Sequence, residues 1–228
     1  MIVNMKNDMI MKEVLADISL VLSDPMFSKE LYTSDMLNEL AIAIFKIKKL
    51  LSLQRLNVNE RALQIEQYVA EHVSLYMAYF ASFNNDACEI SPSELIYRTA
   101  YSAACLGKTT CYGFSELVRI LLLSFQIPSK TILAKFPKEK YKIMHYTTLF
   151  KTDDGRNFIL DPERRQYCLW KKISFEEYMD QLVYVYPNQD WYQHKLDHCG
   201  VGRLASEVFE RHDYELVKGL KQVQYRDQ

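Results

Sequence analysis

Glycine is scarce in this chain, with six residues in 228 against sixteen tyrosines. No GxGxxG or GxxxxGK(S/T) pattern occurs, which excludes the glycine-rich loops that cradle nucleotide phosphates. An excess of charge is missing too. The formal net charge is −1, so the molecule has no long-range attraction for nucleic acid or for an anionic membrane. No apolar run reaches the roughly 18 residues that a helical membrane span needs. The N-terminal stretch alternates charged and apolar side chains, without the basic start, unbroken apolar core or cleavage site of a signal peptide. Cysteines are few, five at irregular spacing (88, 105, 111, 168 and 199). An odd number without a signal peptide predicts reduced thiols and a cytoplasmic protein, with export by a signal-independent system left open.

What is present is an ordinary globular balance, 49% hydrophobic and 25% charged, enough to bury a core without staples. Apolar spacing predicts a helix over 9–22, a second after the caps Thr33-Ser34-Asp35, and a third over 60–83 capped by Asn59. Ser91-Pro92-Ser93-Glu94 spells another helix start, running to about Cys105. After Cys111 comes a strongly apolar helix that stops before Pro128. Strand-like runs follow at 131–136, 142–151 and 157–160, with Asp153-Asp154-Gly155 as the turn between the last two. Further helices are expected from Ser174 through Leu182 and Val183, and over 201–220. Helices first and strands later predict an α+β fold, with a helical N-terminal extension over 1–90 and a mixed domain over 91–228, or the two as one compact domain.

The chemistry concentrates around Gly107-Lys-Thr-Thr-Cys111-Tyr-Gly. A thiol that opens a long helix meets unpaired N–H groups and the positive helix end, which favour its nucleophilic thiolate. The same N–H groups can donate to the oxyanion formed when a thiolate attacks a carbonyl. A thiolate still needs a general base, and the base an orienting group. His145 lies in the strand over 142–151 and Asp161 ends the next one. A three-residue turn with Gly155 in the left-handed position pairs Thr152 with Arg156 and sets Thr147 opposite Asp161. His145 then lies diagonal to Asp161 on the same face, within reach. A two-residue turn would separate them.

These pieces resemble the transglutaminase-like (papain-related) superfamily over about residues 98–165. The matching elements are the loop Gly107 to Cys111 with Tyr112-Gly113-Phe114, then Gln126-Ile127-Pro128, Met144-His145-Tyr146 and Leu160-Asp161-Pro162. The family often has Gly-Ile-Pro at the second and His-Ala-Trp at the third. The resemblance implies a cysteine-bearing helix packed on an antiparallel sheet, and acyl transfer through a thioester by Cys111, His145 and Asp161. It implies no metal or organic cofactor. The expected partner is a peptide, a protein or a small amide or amine.

Taken singly, each residue has a plainer reading. A cysteine at a helix start is often a small buried hydrophobe, and Asp161-Pro162 can simply end a strand. Cys105 reads as packing, and Cys88 and Cys168 as structural. His194, His198 and Cys199 have helical metal-ligand spacing but no evident third and fourth ligands, so they read as a solvated segment. Arg164-Arg165 reads as a partner for acidic neighbours such as Glu163. The tyrosines at 184, 186 and 192 with Trp191 read as a loop beside the site. Two other functions fit the same letters: a non-catalytic peptide- or protein-binding module, and a biosynthetic acyltransferase that forms amides.

Overall fold

The computed structural model describes residues 2–24, 29–51, 53–76, 92–135, 145–171, 182–187, 214–216 and 220–222. Three helices come first: α1 (Ile2–Leu22), α2 (Ser34–Leu51) and α3 (Val58–His72). Asn57, rather than Asn59, caps α3. It accepts the Glu60 N–H at 3.0 Å while Glu60 takes the Asn57 N–H at 3.1 Å, a reciprocal capping box. The helix ends eleven residues short of the sequence expectation, because Val73 turns extended. The chain then pairs Ser74–Leu75 (β1) in parallel with Lys108–Thr109 (β2). A long-range pairing thus overrides a helical pattern.

The single helix expected over 92–105 is also two. After α4 (Pro92–Leu95) and a 3-10 turn at Ile96–Arg98, Thr99 becomes extended and its hydroxyl caps α5 (Ala100–Leu106), accepting from Ser102 N–H at 3.1 Å. Gly107 ends α5 in the left-handed conformation, φ 66°. The central helix, α6 (Cys111–Ser124), is buried on almost every side. It contacts α1, α2, α3 and α5 as well as β3 (Ser129–Lys135) and β4 (His145–Lys151).

Among the described residues six strands form one sheet in the order β7-β6-β3-β4-β5-β8, adding β5 (Asn157–Leu160), β6 (Val183–Pro187), β7 (Tyr214–Leu216) and β8 (Leu220–Gln222). All pairings are antiparallel except β5 with β8. Helix α7 (Pro162–Lys171) follows β5 directly. One apolar core runs from Val14 in α1 through α6 to Tyr146, Phe150, Phe158 and Leu160 on one face of the sheet. The opposite face gathers Ile132, Ala134, Leu149, Ile159 and Tyr184.

The fold is therefore α+β, as expected, with corrections near the C-terminus. Val183 to Pro187 is a strand, not a helix end or a tyrosine loop, since Val-Tyr-Val-Tyr alternates with the period of a pleated surface. Tyr214–Leu216 and Leu220–Gln222 are strands where a last helix was expected, and both add to the sheet. Among the described residues no helix is long and apolar enough to cross a membrane.

Candidate active site

Cys111 is the first residue of α6, and its side chain is 8% exposed. Thr110 occupies the cap position but makes no side-chain capping bond, so its hydroxyl does not take up the N–H groups of the first turn. The approach to Cys111 is fixed from behind. β1 receives the loop through Ser74 N–H to Gly107 O and Tyr76 N–H to Thr109 O, each 2.8 Å. Gly113 lets the first turn of α6 press onto that loop: a Cβ there would overlap Thr109 Oγ1 and stand 2.5 Å from Thr99 O. One residue on from the cysteine, Tyr112 donates its hydroxyl to Tyr146 at 2.6 Å, and the Arg98 guanidinium lies 4.3 Å above the Tyr112 ring. Helix α6 and strand β4 are thereby tied together beside Cys111 and His145.

The hairpin adopts the expected register. Lys151 faces Asn157 and Thr148 faces Leu160, a series that continues to Thr147 opposite Asp161. Gly155 has φ 82°, and Thr152 N–H reaches Arg156 O at 3.0 Å. His145, diagonal to Asp161, meets it through Nε2 to Oδ2 at 2.6 Å. Asp161 is fully committed. Its Oδ1 accepts the Arg164 N–H at 3.0 Å, capping α7, and its own N–H donates to Glu66 Oε1 of α3 at 2.7 Å. Glu66 also holds Arg165 Nη2 at 3.1 Å. The carboxylate that orients the imidazole is therefore positioned by a buried glutamate on a helix from the N-terminal half.

A second carboxylate, expected from the sequence only as a partner of Arg164-Arg165, enters the site. Glu163, in the first turn of α7, places Oε2 3.8 Å from His145 Nδ1. The Cys111 Sγ, a His145 ring nitrogen and a Glu163 oxygen all lie within 4.8 Å of one another. Since Asp161 occupies Nε2, Nδ1 is the nitrogen left for chemistry. The signal for Glu163 was available: Asp-Pro-Glu reads as cap, first-turn proline and first-turn acid of a helix.

The charges are strongly coupled. For His145, burial and the nearby Arg164 guanidinium both act against the cation, but Asp161 and Glu163 outweigh them, raising the pKa from 6.5 to about 10. For Asp161, burial pushes the carboxyl up, and His145 and Arg164 overcome it and hold it below its ordinary range. For Glu163 burial prevails over His145 and Arg164, and its pKa rises.

Cys168 is buried and Cys105 is exposed, so the packing role expected of Cys105 does not hold. Cys88, Trp191, Tyr192, His194, His198 and Cys199 lie outside the described residues.

No family model matches the chain, and no curated protein matches it. Among solved structures, the crystal structure of a TGase aligns at a TM-score of 0.47 and 15% identity, over 58% of this chain and 33% of that one. The match thus spans about a third of that protein's length.

Proposed function

We propose that the protein is a thiol-dependent acyl-transfer enzyme of the transglutaminase-like kind, with Cys111 as nucleophile, His145 as general base and acid, and Asp161 as orienting group. The observation that carries this is the two-sided environment of His145. A buried carboxylate holds Nε2 at 2.6 Å, and the other side of the ring meets a thiol at a helix start. A histidine this basic takes the thiol proton and keeps it as imidazolium across neutral pH. Sγ then attacks an amide carbonyl carbon, and the oxyanion accepts a hydrogen bond from the Cys111 N–H. Collapse breaks the C–N bond while the imidazolium proton passes to the departing amine, leaving a thioester. Water or a second amine, deprotonated by His145, attacks that thioester. The products are an acid or a new amide and the restored thiol.

The test is the pH dependence of Cys111 alkylation by iodoacetamide, mapped to its own peptide because the chain holds five cysteines. Wild type is expected to label rapidly below pH 7. His145→Ala is expected to slow labelling there by about tenfold or more. Labelling indifferent to His145 would sink the proposal and leave a peptide-binding module as the better reading. If it holds, dependence of turnover on an added amine separates transferase from hydrolase.

A further inference from the structure

We propose that Cys111, His145 and Glu163 also form a reversible binding site for a soft divalent cation of the zinc class, whose occupation masks the nucleophile. Glu163 Oε2 is buried and has no hydrogen-bond partner among the described residues. A buried carboxylate oxygen that makes no hydrogen bond is costly in the interior, and a bound ion beside it satisfies it. It lies 3.8 Å from Nδ1 and belongs to a cluster of sulfur, nitrogen and oxygen donors within 4.8 Å. Zinc bonds of about 2.0–2.3 Å at tetrahedral angles need donor atoms roughly 3.3–3.7 Å apart. The nitrogen–oxygen pair is already near that spacing, and the longest pair must close by about 1 Å.

The surroundings are those of a metal-binding histidine. Asp161 takes the second ring nitrogen, which fixes the tautomer and turns Nδ1 toward the cluster. The three donors sit at the starts of α6, β4 and α7, so rigid elements set their spacing. The charges also close: a dication balances the thiolate and the Glu163 carboxylate, while Asp161 faces the Arg164 guanidinium. A fourth position stays open for water. The positive ends of two helices oppose a dication, which makes occupation reversible rather than structural.

Chelator-treated protein titrated with Co²⁺ tests this without any turnover. One equivalent is expected to give a thiolate-to-cobalt charge-transfer absorption that zinc displaces and Cys111→Ser abolishes. Glu163→Gln is expected to raise the zinc midpoint about tenfold or more. In wild type, zinc should protect Cys111 from iodoacetamide. A band that survives in Cys111→Ser overturns the site, as does unchanged affinity in Glu163→Gln. So does zinc that leaves Cys111 labelling untouched, a result that needs no variant. The two proposals fail separately. A Cys111-dependent cobalt band alongside alkylation that ignores His145 in chelator supports the metal site and removes the acyl-transfer reading. His145-dependent alkylation without a cobalt band does the reverse.

Discussion

Asp161 is held from two directions that differ in kind. On one side is the β4–β5 hairpin, where its partner His145 is sixteen residues away and the connection is one short turn. On the other is the seam between α3 and α7, where Glu66, ninety-five residues away, accepts its backbone N–H. The hairpin decides which side chains meet, because the strand period of two allows only one face for each residue. The seam decides where the meeting point sits relative to the helices. Gln166 reinforces it by donating to Ala70 O at 2.6 Å and to Val73 O. A helical half that reads as an extension in the sequence thus supplies a buried carboxylate to the candidate site.

Shortening the turn should break the first side completely. Deleting Asp154 leaves a two-residue turn, which shifts the register and carries His145 to the face opposite Asp161. β4 is buried on both faces, with Tyr146 and Phe150 in one cluster and Leu149 in the other. A slip should therefore also cost several kcal/mol, on the scale of misplacing two or three core side chains. The measurements are a denaturant midpoint and Cys111 labelling with and without His145→Ala. Persistence of a His145-dependent labelling component in the deletion variant would show that register does not bring the two residues together. Asp153→Asn, which keeps three residues and Gly155, should leave both readouts intact.

The second side is tested at Glu66. Glu66→Ala removes the acceptor for the buried Asp161 N–H and the partner of Arg165, a loss of about 3–5 kcal/mol by analogy with broken buried pairs. Glu66→Gln keeps an amide oxygen for the N–H and loses only the charge, so about 1–2 kcal/mol is expected. If Glu66 positions the corner, the labelling profile of Cys111 should move toward higher pH in the alanine variant and return most of the way in the glutamine variant. Equal profiles in all three proteins would reduce Glu66 to a stability residue.

The same contrast explains what was legible in the sequence. The hairpin register, its glycine and the diagonal pair were readable because they depend on neighbours in the chain and on a strict period. The end of α3 was not, because apolar spacing continues past His72 and only the pairing of Ser74 with Lys108 turns the chain aside. The break at Thr99 was missed for a similar reason: its hydroxyl starts a new helix inside a pattern that reads as continuous. Glu163 was visible as a letter but not as a site residue. Its place depends on Asp161 serving as helix cap and imidazole partner at once. Local grammar carried the pair; the third dimension supplied the second acid.

The smallest effect belongs to a local feature whose influence should stay local. α6 ends in a Schellman arrangement, with Gln126 N–H on Leu123 O at 2.7 Å and Ile127 N–H on Leu122 O at 2.9 Å. This requires the left-handed conformation at residue 126, and Gln126 adopts it with φ 63°. The resembling family often has glycine there. For a residue with a Cβ that conformation costs roughly 1–2 kcal/mol, whereas glycine loses about 0.5–1 kcal/mol more chain entropy on folding. The difference predicts that Gln126→Gly stabilises the protein by about 0.5–1 kcal/mol, read as a raised denaturant midpoint with an unchanged slope. The helix is fourteen residues long, so its two ends lie about 20 Å apart at 1.5 Å per residue. Cys111 labelling should accordingly be indifferent to the change. A labelling profile that moved with Gln126→Gly would mean that α6 transmits strain along its length, and the division between local and long-range control would have to be redrawn.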